Sequence, residues 1–503
     1  MTIRGVDYDS FSKGELLQII RRFKKDHESS SDSIDDIARS IHTLSSDEPA
    51  KKKPKHDGKK PQKPFDFSRY RTRHVALKFS YMGEKYAGFA RQDHMEHTIE
   101  RYLIDALKTA RLVEDFNTCG YSRCGRTDAG VSALGQVVGL QLRSNVPVDA
   151  TLLDDLTIDD IQPNQSFRVQ LADGTIKTLQ ELDYPVCLNS ALPQDIRVYA
   201  WTSAPPEWSA RFLCTSRTYR YFFHRRTLDL DAMSTAARLL EGKHDYRNFC
   251  RMDPSVTNFE REILSFNVHV ATDLAGASED PYYQLCYFEI RGRAFLWHQV
   301  RCMAAILFLV GKGHEPPALV STLLDIEGTP RKPQYEMAPD LPLVLHDCTF
   351  DTIDIWYAVL LPMSSMNGLH DSYMPGVLNR VYHDIEGQWE AASLRMALLR
   401  NHLDRLKHLP VHPKAAIPDM KRRQTPQTPA YMAAIEAYGD ANEPFGSILH
   451  MLPAAGKGLK HIPLLQRKCG FSFEEKMVRV KRKADAKKER ENDEGDEHDD
   501  AKP

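Results

Sequence analysis

The chain has 503 residues, 42% apolar and 27% charged, with 67 basic side chains set against 69 acidic ones. That length accommodates two compact domains plus extensions, and the composition is ordinary for a soluble globular enzyme. No apolar run reaches the ~20 residues that span a bilayer, no charged-then-apolar leader opens the sequence, and none of the nine cysteines forms a C-x-x-C pair. A membrane span, a secretory leader and a zinc or redox motif are therefore not expected, and an odd number of scattered cysteines fits reduced thiols in cytosol or nucleus.

Ser12-Lys13-Gly14-Glu15 has the spacing of a capping box, and Leu16, Leu17, Ile20 and Phe23 recur at helical intervals, so residues 1–28 are read as a short amphipathic helix. Residues 29–72 are polar and end in the basic run Lys51–Lys63, as a disordered linker would be. His74–Tyr81 alternates Val75, Leu77, Phe79 and Tyr81, the pattern of a half-buried strand. Ile99, Leu103, Ala106 and Leu107 form a helical stripe that Thr98 is placed to cap. Val137–Leu142 is a second strand, and the acidic, weakly periodic stretch 144–182 reads as a surface insertion. Thr218–Phe223 and Tyr282–Ile290 are further strands, and Phe295–Val310 is a strongly apolar helix. Strands and helices mixed in this order imply an α+β fold. Beyond Phe350 an extension runs over 351–470, with a helix at Glu390–Leu406 and a Pro- and Lys-rich loop at Pro410–Pro429; residues 471–503 are a charged helix and a disordered tail.

The segment richest in chemistry is Gly120–Gln136, GYSRCGRTDAGVSALGQ. Gly125 and Gly130 permit tight turning and close approach of backbone to a ligand. Arg123, Arg126 and Asp128 place two guanidinium groups beside one carboxylate, an arrangement that recognises phosphate and holds a carboxylate ionised. Taken alone, the same residues equally suit an aspartate that caps a turn and is tied to a neighbouring arginine.

Residues Gly125–Val137, GRTDAGVSALGQV, match every fixed position of the signature of the TruA-type pseudouridine synthases, close to G-R-T-D-x-G-V-x-A-x-G-Q-V. Other blocks similar to that family follow in order: Phe79–Gln92, Ser209–Phe223 (SARFLCTSRTYRYFF), His244–Phe249, Phe295–Gly313 and Leu341–Phe350. The resemblance covers about 73–350. It implies two mixed α/β subdomains, 73–205 and 206–350, whose antiparallel sheets flank a central basic RNA-binding cleft. It assigns Asp128 as the catalytic carboxylate, Arg126 as the group that helps displace the target nucleotide, Tyr219 as the ring that stacks on uracil, and Arg301 as the partner of the aspartate; Arg123 joins them as a substrate-binding residue. By pattern alone Tyr219 reads as core, beside Tyr221 and Phe223, and Arg301 as a snorkelling side chain one turn after Trp297. The resemblance also implies tRNA as partner, a homodimer, and work in nucleus and cytoplasm.

The implied reaction suits these residue types. It breaks the N1–C1′ bond of a uridine, rotates the base and makes a C5–C1′ bond, so it is an isomerisation for which no metal or other cofactor is expected. The carboxylate would attack C1′ or C6, or take a ribose proton; the sequence leaves the three open. Within the family, the branch that modifies positions 38 and 39 of the anticodon stem-loop is most similar: its loop reads YSRCGRTDKGVSA, and Tyr121–Ala133 departs only at Ala129. PLVLHDCTF, and His461–Lys483 near the end, lean the same way. Rival readings are the same chemistry at other tRNA positions, a tRNA-folding helper without catalysis, and a nucleoside hydrolase. The last would want a second carboxylate near Asp128, which the loop lacks.

Overall fold

The structure, a computed structural model, describes residues 2–3, 6–7, 65–92, 94–161, 165–272, 278, 280–353, 376–407 and 461–496. The chain divides into two units, Met1–Phe65 and Asp66–Pro503. In the first, the described residues are the antiparallel pair β1 (Thr2–Ile3) and β2 (Val6–Asp7) together with Phe65. The expected helix after Ser12, the linker up to residue 64, the loop Pro410–Pro429 and the tail past residue 496 lie outside the described residues.

The second unit carries, in chain order, β3 (Tyr70–Tyr81), α1 (Ile99–Thr109), β4 (Ser122–Arg123), β5 (Ser132–Pro147), β6 (Thr151–Leu152), β7 (Ser166–Gln170), β8 (Ile176–Gln180), α2 (Tyr184–Asn189), β9 (Ile196–Ser203), β10 (Cys214–His224), α3 (Leu230–Arg238), β11 (Gly242–Asp245), β12 (Glu260–Val270), β13 (Leu285–Gly292), α4 (Gln299–Gly311), α5 (Leu319–Leu324), β14 (Leu343–Phe350), α6 (Gly376–Lys407) and α7 (Phe473–Asp496). The α+β expectation holds. Nine strands form one sheet in the order β11-β12-β13-β10-β14-β5-β3-β9, with β4 added on β5. Every pairing in it is antiparallel except β5 with β14, which run parallel through Ser132↔Val344 and Ala133↔Leu345. Gly135 permits this seam: a Cβ there would lie 2.8 Å from the His346 carbonyl oxygen and 2.9 Å from Asp347 Cα.

Two apolar cores lie on either side of the seam. One is built from β3, β5, β9 and α1, with Phe79, Phe89, Leu107 and Trp201 at its centre. The other gathers β10, β12 and β13 against α3 and α4, with Tyr221, Phe266, Phe288 and Phe308. α4 is buried along its whole length, as its apolar sequence implies. β3 departs from the half-buried reading, because its other face is covered too: His74 is buried against Trp208 and Pro205, and Ala76 is fully buried. Thr98 does begin α1, but its side chain caps nothing. The carbonyls of Gly88 and Phe89 accept the N–H groups of Ile99 and Glu100 instead, at 3.2 and 2.9 Å, which ties the helix to the loop after β3.

The stretch 144–182 is more ordered than its weak periodicity implies. β6, β7 and β8 make a small antiparallel sheet over its own core of Val146, Ile161, Phe167 and Val169. It is anchored by Glu181, whose carboxylate accepts from Ser144 Oγ at 2.5 Å and Asn145 N at 2.9 Å and faces Arg73 Nη1 at 3.6 Å, with both charged side chains fully buried. At the other end of the chain, residues 461–472 lie on the second core: Leu464 is fully buried, and Glu315 accepts from Leu464 N at 2.7 Å and meets His461 Nε2 at 2.8 Å.

A buried ion pair is costly to break by halves, because the surviving charge stays desolvated. Glu181→Ala should therefore destabilise the protein by about 3–5 kcal/mol, while the double replacement Arg73→Met with Glu181→Leu should cost markedly less. Denaturant unfolding of the three proteins checks this; equal losses would show that the charge pair is not what holds the insertion.

Candidate active site

The loop Cys124–Val131 leads into β5 and is pinned from several sides. Cys124 N donates to Val137 O at 2.9 Å, and Gln136, fully buried, donates from Nε2 to Gly125 O at 3.2 Å. Thr127 shares a hydrogen bond with Tyr81 through its hydroxyl, at 2.7 Å, and its carbonyl accepts from Phe89 N at 3.1 Å. Gly130 takes the left-handed φ of +77°, and its N–H donates to Tyr86 O at 3.2 Å. Gly125 needs no such conformation and has open space where a side chain would stand. Ser132 Oγ accepts from Gly83 N at 2.9 Å. These bonds fix the backbone around Asp128 and leave its side chain to the cleft.

That cleft has a volume of about 1040 Å³ and runs between the two cores. Eight arginines and three aspartates line it, so its walls are strongly positive. Asp128, Tyr219, Arg301, Arg126 and Arg123 all reach it, although they come from different parts of the sequence. Tyr219, on β10, packs edge-on against Phe295, with ring centroids 5.1 Å apart, and touches both cores. Arg126 is exposed and has no hydrogen bond or ion pair among the described residues. Its neighbours Arg123 and Arg211 push its ionisation below the usual arginine range.

Two expected partnerships are revised. Arg123 turns away from Asp128 and pairs with Glu100 of α1. Arg301 acts on Asp128 through space; its contacts are Ala338 O, at 2.7 Å from Nε, and Asp340 Oδ2, at 3.9 Å from Nη1. Burial is the largest influence on Asp128 and raises its pKa above the ordinary carboxylate value; Arg301, a hydrogen bond to Trp297 and Arg251 oppose it. The arginines thus moderate a desolvated acid rather than making it unusually strong.

A further neighbour of Asp128 had no signal in the sequence beyond its polarity. His298 Nε2 lies 3.5 Å from Asp128 Oδ2, and the imidazole is only 8% exposed. His298 holds a left-handed backbone, φ 60°, at the start of α4, which turns its ring back toward the loop that carries Asp128. Burial, then Arg301 and Arg251, bring its pKa down to about 4, so the ring is neutral near pH 7. The only hint in the sequence was a polar residue opening an apolar helix. Phe212 was missed in the same way: it lines the cleft mouth while 79% exposed, beside Arg211. The thiols also depart from expectation. Cys124, Cys214 and Cys348 are far apart in sequence, but their sulfurs come within 4.8 Å of one another and are buried, at the root of the loop that carries Asp128.

Comparison with known proteins identifies the class. A family model described as tRNA pseudouridine synthase matches residues 236–351. A tRNA pseudouridine(38/39) synthase of Saccharomyces cerevisiae is 40% identical over 357 residues, 69% of this chain and 72% of the yeast protein. The Bos taurus and Homo sapiens proteins of the same name are 45% and 47% identical, over 67% and 58% of this chain. The chain belongs to the tRNA pseudouridine synthase family. It spans 65% and 59% of the length of the bovine and human relatives.

Because a cation favours the ionised carboxylate, removing one raises the carboxylate pKa. Activity that requires ionised Asp128 should fall as pH drops through a limb above the ordinary value of 3.8. Arg301→Gln should move that limb to higher pH, and Arg301→Lys should move it less. Single-turnover rates between about pH 4 and about pH 8 measure this; an unmoved limb in Arg301→Gln would remove Arg301 from the electrostatics of Asp128.

Proposed function

We propose that the chain is a tRNA pseudouridine synthase that isomerises uridine in the anticodon stem-loop, at positions 38 and 39, with Asp128 as the catalytic carboxylate. The observation that carries this reading is the half-buried carboxylate of Asp128 in a cleft lined by eight arginines, with Tyr219 on the same lining. The relatives named for positions 38 and 39 support the target.

The residues divide the work as follows. The cleft arginines grip phosphates, an attraction that does not depend on base sequence. The target uridine leaves its stack to reach the loop, and Arg126, open on the cleft wall, fills or holds the place it leaves. Tyr219 offers its face to the uracil, and exposed Phe212 is positioned to stack on a neighbouring base. Asp128 attacks the nucleoside or takes its proton; the N1–C1′ bond breaks, C5 bonds to C1′, the C5 proton leaves and N1 regains a proton. Neutral His298, whose Nε2 lies 3.5 Å from Asp128 Oδ2, packs against the carboxylate and limits its orientation. A helix end is a workable target, because extruding its last pair loses less stacking than in mid-duplex, and shape and phosphate contacts set the register.

The homodimer and the nuclear and cytoplasmic setting belong to the same proposal. Pairing of two copies has support from the family resemblance and from exposed Leu394 and Leu398 on α6, 68% and 72% accessible. The basic runs Lys51–Lys63 and Val478–Lys483 support nuclear entry.

A base-resolution map of pseudouridine in tRNA from cells lacking the protein, and from rescued cells, tests the target. Loss and return at positions 38 and 39 is expected; loss confined to another stem would overturn the position and leave the chemistry. In vitro, tRNA affinity should drop by about 10³ or more between 50 and 200 mM salt if six or more phosphates are neutralised. A flat response would contradict the arginine-lined cleft as the binding surface.

A further inference from the structure

We infer that Cys124, Cys214 and Cys348 form a binding site for one soft metal cation, zinc(II) being the probe of choice, which ties the root of the catalytic loop to the central strands. The three sulfurs lie within 4.8 Å of one another, and all three residues are buried. Four thiolate or nitrogen ligands at ~2.3 Å around a tetrahedral zinc stand about 3.8 Å apart. The Cys124 and Cys348 sulfurs are 3.2 Å apart, so the trio brackets that spacing and needs only small side-chain rotations to close on an ion.

The elements that supply the thiols argue for a built site. Cys124 follows β4, Cys214 begins β10 and Cys348 lies in β14, so three separate segments converge on one point of the sheet. No fourth His, Cys, Asp or Glu joins them among the described residues. The fourth position falls to water or to a carbonyl such as Ser216 O, 3.3 Å from Cys214 Sγ. Three thiolates around a divalent ion carry a net charge of minus one. Arg217 offsets it: its guanidinium donates to Cys124 O at 3.0 Å and to Cys214 O at 3.4 Å, on two of the three ligand residues. The same guanidinium also donates to Arg293 O and Arg211 O, so it ties four carbonyls around the thiols while placing a positive charge beside them. Thiolate ligands select zinc or copper(I) over magnesium or calcium.

The ion is structural. One ligand, Cys124, stands at the root of the loop, four residues before Asp128, so the ion would hold the loop rather than the reacting atoms. Its effect is to hold Cys124, and hence Gly125 and Arg126, at a fixed distance from β10, which carries Tyr219.

Full-length protein, purified under reductant and stripped with a chelator, is titrated with zinc(II) and separately with cobalt(II). One equivalent should bind, cobalt should show thiolate-to-metal charge transfer, and the melting midpoint should rise. Cys214→Ser and Cys348→Ser should each lose the charge-transfer band, while Cys302→Ser, a buried cysteine outside the trio, should keep it. Because a buried serine can unfold the chain, X-ray absorption of the wild-type zinc protein is read alongside: three sulfur neighbours are expected. A shell of only nitrogen and oxygen, a band that survives Cys214→Ser, or a Cys124–Cys348 disulfide with no metal bound under reductant would overturn the site.

Discussion

Two residue pairs, Ser132 with Val344 and Ala133 with Leu345, join the halves of the molecule in parallel register. A parallel pair cannot be closed by a short turn; it needs a long connection, and here that connection runs from β6 through α5, the second core included. The strand that returns, β14, lies between β10 and β5, so the loop entering β5 comes to rest beside the strand carrying Tyr219. Gly135 is what lets β14 come so close. Side chains more than ninety residues apart meet across one cleft because of this seam, and each wall of the cleft inherits the rigidity of its own core.

Rigidity matters because the proposed chemistry asks for a desolvated carboxylate in a fixed position. Burial raises the free energy of ionised Asp128, and the surrounding arginines recover part of it. The backbone bonds of Thr127 and Gly130 and the carbonyl of Gly125 leave the loop no slack. Recognition needs less precision. A wall of arginines binds phosphate at many angles, and specificity for a tRNA site can come from shape. The site therefore combines a fixed acid with a more forgiving basic surface.

Much of this was legible in the sequence. The alternation in β3 and β10, the apolar run of α4 and the helical stripe of α1 set the element types, and the glycine-punctuated segment located the loop that carries Asp128 into the cleft. What periodicity could not show is which distant residues meet. Arg123 pairs with Glu100 because α1 packs beside β4, a tertiary fact with no local signal. His298 reads as one polar residue at the head of an apolar helix until its left-handed backbone aims it at Asp128. The thiol trio escaped because metal spacing is sought within short motifs, and here the fold supplies the spacing. The insertion 144–182 looked irregular because its strands are short and its core small.

The central claim is that Asp128 makes and breaks the bonds while the basic cleft holds the RNA. Making C5–C1′ expels the hydrogen on C5, so tritium placed there reports the chemistry itself. Wild-type protein and Asp128→Asn are compared on tRNA carrying 5-tritiated uridine, with binding measured in parallel. The account expects tritium release by wild-type protein, none above background by Asp128→Asn, and affinities within about tenfold, roughly 1.4 kcal/mol. Release by Asp128→Asn at a rate near that of wild type, with binding intact, would contradict it.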